Sequence, residues 1–145
     1  MSSKKPLQFL GKFARLSGVQ RYWLVRAWLR VLCVRFALWV LPLDKVRALF
    51  APKRRAKTPE SSVPLSCVVG SVLSVSRIVP QSTCLVRAIA LQSLLHENGQ
   101  KAQLHIGVAL DSQNQFLAHA WVEYQGQTIL GGQNQQYQSL LTLET

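Results

Sequence analysis

Residues 84–126, CLVRAIALQSLLHENGQKAQLHIGVALDSQNQFLAHAWVEYQG, change hydrophobic period partway along, and that change decides the fold. From Cys84 onward apolar residues recur at helical spacing, with Leu85, Ala88, Leu91 and Leu95 on one face. Ser82 or Thr83 can cap the start of this helix, and Asn98-Gly99 ends it. Beyond the turn the period drops to two. In QLHIGVAL (103–110) Leu104, Ile106, Val108 and Leu110 alternate with His105, Gly107 and Ala109, so one strand face is apolar and the other small or polar. The runs FLAHAWVEY (116–124) and QTIL (127–130) follow across the short links DSQNQ and Gln125-Gly126, which predicts an antiparallel meander. A hairpin centred on Gln113 sets Gly107 opposite His119 and His105 opposite Trp121. A helix followed by a small antiparallel sheet is an α+β arrangement.

Upstream, residues 7–16 (LQFLGKFARL) predict a short helix and residues 20–41 a long one stopped by Pro42. At helical spacing Arg26 and Arg30 fall on one side of the long helix, with Arg21 and Arg35 nearly opposite. Two apolar arcs lie between these stripes. Trp23, Ala27, Val31, Val34 and Leu38 form one; Tyr22, Val25, Leu29, Leu32 and Phe36 form the other. Such a helix wants two neighbours, unlike a membrane-surface helix with a single wet face. The segment DKVRALF (44–50) and the Pro- and Lys/Arg-rich linker APKRRAKTPE (51–60) follow. Residues 64–77 read as a helix behind Pro64, and the tail from Gly131 carries no pattern that assigns it to an element.

The chain has 145 residues, 48% hydrophobic and 16% charged, enough for one domain with a sizeable core and too apolar for a disordered tail. Its net charge of +11 is uneven. Residues 1–57 hold fourteen basic residues and one acid, a helical basic region; residues 58–145 hold three bases and five acids, and all of the chemistry. Cys33, Cys67 and Cys84 form no disulfide framework, which suits a reducing cytoplasm. Lys4 and Lys5 do not open a signal peptide, because Pro6 and Lys12 leave too short an apolar run, and the longest uncharged stretch, 61–76, is too short to span a bilayer. No Cys/His ligand cluster and no phosphate-binding glycine loop is present, so neither metal nor other cofactor is expected.

Cys84 opens a helix, where unsatisfied N–H groups and the macrodipole favour a thiolate by about 0.3–1 kcal/mol. His119, on a following strand and facing a glycine, is the base such a nucleophile needs. Cys33 and Cys67 sit in apolar runs without caps and read as structural, and His96 and His105 are weaker candidates than His119. Trp121 reads as packing or as a wall over the site. Glu123 shares the face of His119 but lies four residues on, about 13 Å along the strand, so it reads as an ion-paired strand residue.

These residues resemble the core of the transglutaminase-like leader peptidases of lasso-peptide biosynthesis, whose hallmarks are a CLxRA helix start, a GV strand and AHAWVE before a glycine turn. Here those are Cys84, Leu85, Arg87 and Ala88; Gly107 and Val108; and Ala118 to Glu123 with Gly126. The helical, basic first third resembles the stand-alone form of that family, without a fused leader-recognition domain. The resemblance implies a papain/transglutaminase-like core, residues 58–145, in which the Cys-bearing helix packs on a small antiparallel sheet behind the N-terminal helices of residues 1–57. It implies a cysteine peptidase that cuts the leader from a ribosomally made precursor before a partner cyclase closes the lasso ring, with a separate leader-recognition protein presenting the substrate. Cys84 is then the nucleophile and His119 the base, the N–H of Cys84 and Gln81 serve the oxyanion, Arg87 and Trp121 are the substrate-contact candidates, and Arg87 has a structural ion pair as its other role. The long helix at 20–41 is the candidate dock for the presenting protein or the cyclase.

One feature departs from the family. Related enzymes carry a catalytic acid on the strand after the histidine, whereas this chain reads Leu130-Gly131-Gly132-Gln133-Asn134. Asn134, Gln133 or the Gly131 carbonyl can orient an imidazole instead. Two other readings compete: an acyl transferase using the same Cys-His pair, and a binding module for nucleic acid or anionic membrane built on the basic region. Against nucleic acid, the arginines straddle the long helix and no recognition motif is present.

Overall fold

The computed structural model describes residues 16–51, 63–110, 113–132 and 138–143. Among the described residues four helices precede a four-stranded antiparallel sheet: α1 (Gly18–Val40), α2 (Leu43–Phe50), α3 (Leu65–Ser76) and α4 (Cys84–Glu97), then β1 (Gln103–Leu110), β2 (Phe116–Tyr124), β3 (Gln127–Leu130) and β4 (Gln138–Leu143). The sheet order is β3-β2-β1-β4. The expected helix at 7–16, the linker from 52 onward and the division at 57/58 lie outside the described residues, as do Gln133 and Asn134.

α1 begins two residues before the expected start because Ser17 and Gln20 form a capping box: the Gln20 N–H donates to Ser17 Oγ at 3.3 Å, and the Ser17 N–H to Gln20 Oε1 at 3.2 Å. Pro42, which has no N–H to extend the ladder, ends it as expected. The inner arc of α1 is covered by α3 and α4, with Ala27, Val31 and Val34 fully buried and Trp23 nearly so. Burying an aliphatic side chain stabilises the fold by about 1.5–3 kcal/mol relative to exposure, so this arc anchors the basic region to the rest. The outer arc is largely bare among the described residues: Tyr22, Val25, Leu29 and Phe36 are exposed, with Trp28, Trp39 and Val40 beside them, and only Leu32 is partly buried against the core. Both α3 and α4 lie on the inner side, so the neighbour expected on the outer arc is not among the described residues.

α4 is the central element. Its buried set, Val86, Ala88, Ile89, Ala90, Leu91, Ser93, Leu94 and Leu95, extends well beyond the single face read from sequence, because α1 and α3 cover one side and the sheet covers another. Its far end is tied down twice. Arg26 and Arg30 of α1 each pair with one carboxylate oxygen of Glu97, and Arg30 also donates to Ser93 Oγ. Asn98 bonds both the N–H and the carbonyl of Val63 ahead of α3, at 3.1 and 3.0 Å.

The β1–β2 register is the one the hairpin predicts, with Gly107 opposite His119 and His105 opposite Trp121. The tail adds β4 to the free side of β1, with a register shift between Ile106 and Gly107, so the meander gains a fourth strand. β3 pairs with β2 at Val122–Tyr124. Val31, Val72, Leu91, Leu104 and Val122 belong to one continuous core that runs from α1 through α3 and α4 to the sheet.

Candidate active site

Thr83 caps α4, its hydroxyl accepting the Val86 N–H at 3.4 Å, and this makes Cys84 the first helical residue. The Arg87 N–H already bonds the Thr83 carbonyl at 3.1 Å. The N–H groups of Cys84 and Leu85 therefore have no partner within the helix, which leaves donors beside the thiol for an anionic oxygen. Cys84 is half-buried against the core, and α4 packs on β2, the strand that carries His119.

His119 Nε2 lies 2.6 Å from the main-chain oxygen of Gly131. A carbonyl only accepts, so Nε2 is the donor and the neutral ring keeps its lone pair on Nδ1, the atom that can take a proton from a thiol. Trp121, 3% exposed, packs beside this imidazole with ring centres 6.2 Å apart and planes 19° from parallel. On its other neighbour, His105, the indole stacks at 5.3 Å and 9°. Glu123 closes the group, accepting from Trp121 Nε1 at 3.0 Å and pairing with His105 Nε2 at 3.3 Å. Glu123 is thus partnered along its strand rather than turned to His119, and Trp121 is packed between the two imidazoles. The His105–Trp121–Glu123 grouping follows from register and alternation together, the signal by which it can be read in the sequence.

Of the other candidates, Gln81 lies three residues ahead of Cys84 with φ +57, and its Oε1 accepts from Arg35 of α1 at 2.8 Å. That bond uses the oxygen and leaves the amide N–H₂ as the donor end. Arg87 makes no ion pair among the described residues, and its Nε is buried without a hydrogen-bond partner. Cys33, expected in packed surroundings, is exposed on the uncovered side of α1, while Cys67 is half-buried against the core. Among the described residues no three His, Cys, Asp or Glu side chains gather as a metal site, and no helix is long and apolar enough to cross a membrane.

The family model for the transglutaminase-like superfamily matches residues 27–143, most of the chain. No curated protein and no solved structure matches it.

Proposed function

Because the chain belongs to the transglutaminase-like superfamily, a family usually of cysteine proteases or transferases, we propose that it is a thiol peptidase removing the leader from a ribosomally made lasso-peptide precursor. The observation that carries this reading is the imidazole of His119, which stands on the strand against which the Cys84 helix packs and is bonded through Nε2 to the Gly131 carbonyl. In this reading Nδ1 of His119 takes the Cys84 proton and the thiolate attacks the scissile carbonyl. The oxyanion is met by the N–H of Cys84, with Gln81 as the second donor. His119 returns the proton to the core peptide's departing amine, leaving the leader as a thioester on Cys84. Water, deprotonated by the same imidazole, then releases the leader as an acid and restores the thiol. Trp121 and Arg87 border the path of the leader.

The same reading gives the protein its partners: a separate leader-recognition protein that presents the precursor, and a lasso cyclase that uses the freed amine, all in the cytoplasm. The outer arc of α1 is the surface it assigns to the presenting protein. The arc is apolar and aromatic, lies on the most basic third of the chain, and is uncovered among the described residues.

The test is mass spectrometry of a cognate precursor incubated with the purified chain and its presenting partner, with Cys84→Ala and His119→Ala alongside. Leader loss in the wild type alone is the expected result. A precursor joined to an added amine would move the assignment to a transferase, and an intact precursor in a validated complete system would sink the enzyme reading.

A further inference from the structure

The geometry points to the main-chain carbonyl of Gly131 as the group that holds the His119 imidazole, doing with a backbone atom what a side-chain acid does in the enzymes the chain resembles. Gly131 and Trp121 are the positioning residues that place it. The catalytic meaning of this arrangement rests on the Cys84–His119 reading above; its geometry does not.

A carbonyl can orient a ring only if it is itself fixed, and three observations show how this one is. Gly131 has φ +106, a backbone conformation that side chains rarely allow. A Cβ at residue 131 would sit 2.5 Å from the Trp121 Cβ, 2.8 Å from its Cα and 3.1 Å from the Ala120 oxygen. Two of these three are backbone atoms of β2 that cannot swing aside. Glycine is therefore the residue that lets this peptide approach β2 closely enough for its oxygen to reach Nε2. Trp121, the surface the peptide presses against, is held by Glu123 at its ring nitrogen and by His105 across its face. The imidazole is thus bounded by an indole beside it and a carbonyl at Nε2. Glu123, the acid nearest along the strand, is engaged with Trp121 and His105.

A neutral acceptor fixes tautomer and direction without a carboxylate's charge. In the full-length chain, ¹⁵N NMR of His119 is expected to show the neutral ring protonated on Nε2. Replacing Gly132 by glycolic acid through ribosomal incorporation converts the 131–132 amide to an ester and weakens the Gly131 oxygen as an acceptor without altering any side chain. The ester variant is expected to show mixed tautomers at His119 and about five- to tenfold slower alkylation of Cys84 by iodoacetamide, the size of one lost hydrogen bond. Gly131→Ala is expected to lose the same reactivity. The ester variant stands in for it if the alanine chain fails to fold.

A wild-type ring protonated on Nδ1, or an ester variant that matches wild type in both readouts, overturns the proposal. So does slowed alkylation in Asn134→Ala with the ester variant unchanged, which hands the role to Asn134. A wild type in which Cys84 reacts no faster than the exposed Cys33 removes the Cys-His pair itself. That outcome overturns the catalytic role by a different route, recognisable because the NMR result is then unaffected.

Discussion

Arg30 and Glu97 join the long N-terminal helix to the far end of the helix that begins with Cys84, and Arg26 takes the other oxygen of the same carboxylate. Glu97→Gln keeps the shape but leaves two guanidinium groups, one helical turn apart, without a counter-charge. The side chains are about a third exposed or less, so water screens part of the effect. A loss of about 1–2 kcal/mol is expected, read as a fall of several degrees in Tm by calorimetry. An unchanged Tm would mean that the cluster is fully screened.

Glu123→Leu removes the acceptor of the Trp121 N–H and the partner of His105 in one step. A buried indole donor left unsatisfied costs about 1–3 kcal/mol, so Tm should fall. Because Trp121 packs beside His119, Cys84 alkylation should slow as well, with Glu123→Gln recovering much of both losses. Full reactivity in the leucine variant would separate Trp121 from the positioning of His119.

His96 sits in the last turn of α4 with both ring nitrogens buried and without hydrogen-bond partners among the described residues. Burial, helped by Lys101 and opposed by Glu97, pushes its pKa below the ordinary 6.5. The folded state therefore resists a proton that the unfolded chain accepts. The neutral ring's contribution is complete above about pH 6.5 and is lost as pH falls from there toward the lower folded value. The Tm of the wild type should drop more steeply between pH 6.5 and 5 than that of His96→Phe, and parallel curves would exclude the effect.

Phe36→Glu and Trp39→Glu alter side chains that are 65% and 83% exposed. Both should leave stability within about 0.5 kcal/mol of wild type and leave Cys84 alkylation unchanged. Leader removal should then require more of the presenting partner, with full rate restored at high partner concentration. Equal dependence on partner in variant and wild type would place the docking surface elsewhere.

The cysteine helix and the β1–β2 register were legible because their signals are local: a cap at Thr83, a stop at Asn98-Gly99, and alternation around a short loop. β4 was not, because its short run pairs with β1 from some thirty residues away and nothing beside it marks the partner. Periodicity showed that α1 has two apolar arcs and led to a neighbour being expected on each, whereas α3 and α4 both arrive on the inner one. The group at His119 Nε2 was legible only as three possibilities, Asn134, Gln133 and the Gly131 carbonyl. No side-chain pattern chooses among them, and it is the backbone path that brings the Gly131 oxygen to Nε2.

Charge divides this chain into a basic region and a region with the chemistry, yet Ala27, Val31 and Val34 of the first share a core with Val68, Val72 and Leu91 of the second. Melting should accordingly be one event, with calorimetric and van't Hoff enthalpies in agreement. Fragments 1–57 and 58–145 produced apart should each remain unfolded, and mixing them should restore structure, because each supplies the apolar wall that the other lacks.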